Sequence, residues 1–481
     1  MLEYFNDDDT GEEPDRQNLD ETLRRYRESA SSGQWQNGLP SADALENIVH
    51  YCLETHKFDD AVTFARMWRE VAPYSADACH KYGIALGSLN RWEEALEAYD
   101  RAAEFDPVDI EIMVNRAIAL EQVGRLDESM MLVEQALVNE PENFDALYTK
   151  AMILEKRERY DEAIRLFSFL SKQEGFGRDS LFELAFCHEA IDDLNGAIEV
   201  YNKIIEIDPY EANAWFNRGV ILGKKGAQRL ALASYDMATV IKPEFVNAWY
   251  NMGNAYAALG RIDESIAAYR EAHKADPSDV PVIHNLASSL EERGHFKEAI
   301  EMFGKALAVD ARHVASFYGR GTCYDALEQF AQAVEDYDSA LALDPSQGDV
   351  WYAKGDALYN LGNLRDAISS YRKALDLQPK DVECWFDFGS TMLENGDVLE
   401  ALQAFNECVR LAPEWAEGYY ATAKALSAAG QPLTAVPYLQ QAFSLDPVKY
   451  EDFHREFPAI AGPLGMEYLR DIIHRNDLPE E

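Results

Sequence analysis

The sequence predicts an all-α fold, a linear stack of short antiparallel helix pairs. Three observations carry that prediction. A proline returns every 34 residues, each interval holds two apolar stretches at helical spacing, and small residues recur at two fixed positions in the interval. Counting in 34s gives Pro73, Pro107, Pro141, Gly175, Pro209, Pro243, Pro277, Ala311, Pro345, Pro379, Pro413 and Pro447. Ten of the chain's 18 prolines therefore fall on these twelve slots, and no insertion interrupts the period.

The elements follow in chain order. Residues 1–41 precede the first period. They open on "MLEYFNDDDTGEEPD", with seven acidic residues and no Lys or Arg, so residues 1–17 are expected to be disordered. "LDETLRRYRES" (19–29) reads as a leading helix, and "SSGQWQNGLPS" (31–41) as a linker. Twelve units then run from 42 to 449, which is 12 × 34 = 408 of 481 residues. In the unit "WYAKGDALYNLG" (351–362), apolar side chains at helical spacing stop at a Gly, as expected of the left-handed residue just past a helix. "RDAISSYRKALDLQP" (365–379) forms the second helix and stops at a residue that cannot continue it. The eighth position of the unit is Gly or Ala in every unit but the first, where it is Val49, and the twentieth is Ala or Ser throughout. Large residues at the fourth position, among them Trp215, Trp249, Trp351 and Trp385, and Tyr or Phe at the twenty-fourth fill the space beside those close backbone approaches. After the last unit, residues 450–481 hold "YEDFHREF", which reads as a further first helix, and "MEYLRDIIHR", which reads as a cap.

This order of large, small and aromatic residues at a 34-residue period resembles the tetratricopeptide repeat, over residues 42–449. The resemblance implies a right-handed solenoid in which positions two, five, six, nine, twelve and thirteen of each first helix line a concave face. Three departures are visible. Val49 and Trp68 mark the first unit as a cap, and the junctions at Gly175 and Ala311 have lost their proline.

Composition narrows the function. Against 44 basic residues stand 86 acidic ones, a formal net charge of -42 that repels phosphate backbones and anionic lipid, so neither nucleic acid nor membrane is expected as a partner. The chain shows neither a secretory signal nor a run of about 18 apolar residues, and a cytoplasmic location is expected. Cys52, Cys79, Cys187, Cys323, Cys384 and Cys408 lie far apart without a CxxC pair, and buried free thiols are expected. Phosphate-binding, zinc-protease and nucleophile-elbow motifs are missing, and the flanks of 41 and 32 residues are too short for a catalytic domain. No enzyme activity, cofactor, metal or small-molecule substrate is expected. "CH" at 79–80 and "CHE" at 187–189 read as packing positions rather than metal ligands.

The face implied by the resemblance carries the candidate binding residues. Asn217, Asn251 and Asn285 repeat at position six, with Asn213, Asn247 and Asn254 close by, and Phe216, Tyr250, Tyr318 and Tyr352 belong to an aromatic stripe at position five. Amides both donate and accept, so such a ladder can satisfy an extended peptide's backbone. Two readings stand side by side: a ligand track, or inherited repeat chemistry in which the aromatics pack against neighbouring helices. Acidic residues dominate this face, including Glu291, Asp325 and Asp356, and no unit has Lys or Arg at position five. A peptide or protein domain of basic character is the expected partner. The functional expectation is a non-enzymatic interaction scaffold, and the alternative is a structural protein that self-associates or forms a fixed part of a larger complex.

Overall fold

The computed structural model describes residues 13–32, 40–450 and 456–457. The expected disorder of residues 1–12, most of the linker and the capping segment 466–475 lie outside the described residues. Every regular element among the described residues is helical: 25 α-helices and one short 3-10 turn, with no strand. The chain divides into two compact units, residues 1–241 and 242–481.

In each unit the helices follow the 34-residue frame, numbered here as repeats 1 to 12 from residue 42. Repeat 7, for example, pairs Val246–Ala258 with Ile262–Ala275, and repeat 10 pairs Gly348–Asn360 with Leu364–Leu377. Several first helices start on polar caps, whereas those after Phe176, Phe245 and Trp415 have none. Asp109, Asn143, Asp279 and Asp381 each accept the amide of the third residue on, at 2.9–3.1 Å, satisfying a donor the helix cannot. They end on a left-handed residue in all twelve repeats. Seven are glycines, as the sequence suggests, but His56, Asn90, Glu158, Asp192 and Glu328 adopt the same conformation at φ 56–60°. The stacked framework outweighs the steric cost of a side chain there.

The proline slot has a partner the sequence did not reveal. The indoles of Trp215, Trp249, Trp351 and Trp385 donate to the carbonyls of Pro209, Pro243, Pro345 and Pro379 at 2.8–3.0 Å. Each bond ties the turn closing one repeat to the helix opening the next. Position twenty is fully buried in all twelve repeats, from Ala61 through Ser129 and Ser265 to Ala435. At position eight the aromatic of position twenty-four lies flat on the backbone: a Cβ on Gly253 would sit 2.5 Å from Tyr269 Cε1. The two junctions without proline differ. At Gly175 the preceding helix, Tyr160–Leu170, is cut to 11 residues, whereas at Ala311 the preceding helix, Phe296–Val309, keeps the usual 14.

The first unit opens with the helix Glu13–Ser32, longer than the leading helix the sequence suggests and already helical at residues 13–17. Leu23 is buried in the core of the first repeats, Tyr26 lies 6.3 Å from the Phe64 ring, Arg27 pairs with Asp60 and Lys57 donates to Asp20 at 2.7 Å. At the other end Tyr450 and Phe457 are buried, with Phe457 set edge-on to Tyr420 at 5.2 Å. All six cysteines are buried and free. No helix among the described residues is long and apolar enough to cross a membrane.

Candidate functional site

Within each unit, the first helices of successive repeats stand side by side and join their side chains at a lag of 35 residues. Asn285 donates to the Tyr250 hydroxyl at 3.1 Å, Tyr352 to Asp387 at 2.6 Å and Tyr359 to Glu394 at 2.8 Å in the second unit. In the first unit Asn115 meets His80 at 2.9 Å and Lys224 pairs with Glu189 at 3.5 Å. This first-helix face carries the residues the sequence singled out.

Asn213, Phe216 and Asn217 lie in the first unit and the remaining candidates in the second. Asn213 and Asn247 are exposed. Asn254 and Asn285 are engaged within the fold: Asn285 donates to Asn254 Oδ1 at 3.2 Å as well as to Tyr250, and the Tyr269 hydroxyl donates to the same oxygen at 2.5 Å. Asn217 bonds to Tyr201. Of the named amides in the second unit, Asn247 and Asn251 have no side-chain partner among the described residues. The aromatic stripe also has a structural task. Phe216, Tyr250, Tyr318 and Tyr352 each pack on the position-24 ring of their own repeat, Tyr235, Tyr269, Tyr337 and Tyr371, at 5.9–6.1 Å between centroids. The ring partner is the repeat's own second helix, while the Tyr250 and Tyr352 hydroxyls reach the neighbouring first helix at Asn285 and Asp387. Both faces of these rings are not taken up, since all four remain half-exposed.

The second unit carries a row of acids held partly out of water. Glu291, Asp325, Asp356 and Asp387, from repeats 8 to 11, are half-buried on this face. Burial is the leading cause that pushes all four carboxyls above their ordinary range, Asp356 to about 6. Neutral hydroxyls serve three of them: Thr322 donates to Glu291, Tyr371 to Asp356 at 2.7 Å and Tyr352 to Asp387. Asp325 has a buried oxygen with no hydrogen-bond partner, and so does the fully buried Tyr337, whose hydroxyl feels the Asp325 charge. No Lys or Arg pairs with any of the four among the described residues.

The first unit shows what is missing. There the position-12 acids Glu121 and Glu189 pair with Lys156 and Lys224, which occupy position 13 of the following repeat, whereas Glu155, at the same position, is followed 35 residues on by Ala190. In the second unit the corresponding partners of Glu291 and Asp325 are Ala326 and Asn360. Asp387 escaped the sequence reading because position six was scanned for amides; a search for acids at a lag of 35 without a basic partner would have found the whole set.

Two further groups also escaped it. Glu155 and Glu183 of the first unit share a hydrogen bond, and burial with the neighbouring charge pushes Glu155 up to about 7. Glu46, His50 and Asp77 bring three ligand-type atoms within 4.8 Å of one another. This trio could accept a divalent cation, whereas the sequence reading considered only residues near the cysteines. Its signal was available as Glu and His four apart on one helix, followed by Asp at position two of the next repeat.

Comparison with known proteins follows the same frame. Family models of the tetratricopeptide repeat match residues 81–144, 115–169, 148–212, 246–279, 284–348 and 352–414. No curated protein matches the chain significantly. Among solved structures, the chain is similar to YrrB, described as a TPR protein with an unusual peptide-binding site, at 25% identity over 38% of this chain and 94% of that one, with a TM-score of 0.36. The Cut9-Hcn1 hetero-tetramer of APC/C matches at 16% identity over 95% of both chains, TM-score 0.39. Pseudomonas aeruginosa pilF matches at 20% identity over 44% of this chain and 97% of that one, TM-score 0.39.

Proposed function

From the premise that this chain belongs to the tetratricopeptide repeat family, we propose that it is a non-enzymatic scaffold whose second unit receives a basic peptide segment along its first-helix face. Proteins of this family are generally scaffolds for protein interactions. The observation that carries the finer reading is the row Glu291, Asp325, Asp356 and Asp387, desolvated yet without a cation of its own. A carboxylate held out of water is relieved by an ammonium or guanidinium brought in by a partner, and the same desolvation strengthens that contact. The half-exposed rings of Tyr318 and Tyr352 flank the row, and a cation seated over either gains further attraction. Asn247 and Asn251 offer free amides to the peptide backbone in repeat 7, and Asn213 offers the same group in the first unit. A reducing, cytoplasmic setting belongs to the proposal and is supported by six buried, unpaired thiols.

The test is a fluorescence-anisotropy titration with labelled Lys- and Arg-rich peptides against wild type and the Asp325→Asn, Asp356→Asn double variant. Loss of two charge contacts is expected to weaken binding at least roughly tenfold, with a reduced salt dependence. Equal affinity for wild type and double variant refutes this use of the face.

A further inference from the structure

A regularity at position seven of the first helices has one exception. Position seven of the first helix points toward the second helices rather than along the first-helix face, and five repeats place a cation there: Arg116, Lys150, Arg218, Arg320 and Lys354. Four have a carboxylate waiting. Arg116 meets Asp100 at 2.6 Å and Lys150 meets Glu134 at 3.6 Å, in both cases on the second helix of the preceding repeat. Lys354 pairs with Asp338 in the same way, and Arg320 is held by both oxygens of Asp336 at 2.6 and 2.7 Å.

Arg218 has none. Its Nη1 donates to the Asn202 amide oxygen at 2.9 Å and its Nε to the Ser234 hydroxyl at 3.1 Å. Asn202 stands where Asp100, Glu134 and Asp338 stand in the other repeats, and Ser234 stands where Asp336 does. Both possible counter-charges have been replaced by neutral acceptors of similar size. The indole of Trp215, itself fixed to the Pro209 carbonyl at 2.9 Å, lies 4.3 Å from the guanidinium carbon. One face of the cation is thus covered, and its position is set on three sides. Of the five N–H donors of an arginine, Asn202 and Ser234 take two, and the two on Nη2 and the second on Nη1 are left. Burial alone holds this guanidinium below the usual arginine range, and no neighbouring charge offsets it. In a chain with 86 acidic residues, a half-buried arginine that meets no acid is held apart from them by its surroundings.

We propose that Arg218, framed by Trp215, Asn202 and Ser234, is a docking site of the first unit for a carboxylate of a protein partner, independent of the basic-peptide face of the second unit. The remaining Nη1 and Nη2 hydrogens are donors for a carboxylate, and Trp215 provides an apolar wall beside them. The carboxylate can come from an Asp or Glu side chain or from a C-terminus. A single scaffold would then hold an acidic segment on its first unit and a basic one on its second.

The fold supplies the test. Asn202→Asp restores the carboxylate that other repeats carry at this position, so it closes the site from within while leaving Arg218 in place. The probes are a Glu-containing octapeptide with an amidated C-terminus and an Ala-Gly octapeptide with a free one. Binding is followed on the Arg218 Nε–H signal of 15N-arginine-labelled full-length protein, assigned by its absence from Arg218→Lys. In wild type the signal is expected to shift with one or both peptides, and which of them acts tells side chain from C-terminus. In Asn202→Asp the signal should start displaced and respond at least roughly tenfold more weakly, the loss of one charge-assisted contact. Arg218→Gln should lose binding with its fold kept, as judged by circular dichroism. A wild-type signal indifferent to both peptides, or equal binding by Asn202→Asp, overturns the proposal.

Discussion

Replacing Asp356 by Asn should make the protein more stable at neutral pH, although it removes a residue of the proposed binding face. The carboxyl is held at about 6 rather than its ordinary 3.8, and burial is the main cause. For an acid whose folded value is raised, the sign is fixed by which state keeps the proton. Below 3.8 both folded and unfolded chains hold it and nothing is lost; between 3.8 and about 6 the unfolded chain releases it first; above about 6 the folded chain bears a buried charge and the whole penalty applies. The interval corresponds to at most about 3 kcal/mol, and solvent screening at a half-buried position lowers this to about 1–2 kcal/mol. Asparagine keeps an oxygen for the Tyr371 hydroxyl, now 2.7 Å from the carboxylate, so the variant removes charge without removing the bond. Urea unfolding of the full chain, followed by circular dichroism, should show a higher midpoint for Asp356→Asn at pH 7.5. By pH 4.5 the gain should fall to roughly a third of that value. A lower midpoint at pH 7.5, or the same gain at both pH values, would show that the carboxylate is not desolvated as described.

Other consequences follow from the packing. Asn285→Ala strips a donor from Tyr250 and Asn254 and should cost about 1–2 kcal/mol of stability in urea unfolding, while basic-peptide affinity changes less than for Asp325→Asn. Gly253→Val forces a Cβ to within 2.5 Å of the Tyr269 ring, so the melting temperature should drop by an amount equivalent to about 1–3 kcal/mol, with Tyr269→Leu in the same chain restoring part of it. Burial pushes the thiols of Cys52, Cys187, Cys323 and Cys408 up to about 12, so a disulfide-exchange reagent at pH 8 should react slowly with native protein and with all six cysteines in denaturant.

The repeat was legible because it rests on backbone requirements that few residue types meet. Proline ends a helix, a small residue at positions eight and twenty admits a neighbour, and an unbroken 34-residue spacing keeps each in register. Where the requirement can be met by other residues, the signal faded: His56 and Glu158 take the left-handed conformation that Gly124 and Gly260 announce. The first-helix face was legible only as a set of positions. Periodicity says that Tyr250 and Asn285 lie on that face, but not that the side chain of Asn285 turns sideways to the Tyr250 hydroxyl. Nor does it say that the aromatic stripe leans on position 24 of its own repeat. The acids were seen singly; their lack of a counter-charge emerges only when each is compared with its successor 35 residues on, Ala326 and Asn360 in place of the lysines found in the first unit.

Whether the carboxylates of the second unit's first-helix face receive the cations of a partner is decided by carboxyl footprinting with a carbodiimide and an amine label, read by mass spectrometry with and without a Lys- and Arg-rich peptide. Protection is expected at Glu291, Asp325, Asp356 and Asp387, with Glu335 and Asp376 on the second helices labelled as before. Protection confined to the second helices, or unchanged labelling of the four under saturating peptide, would contradict it.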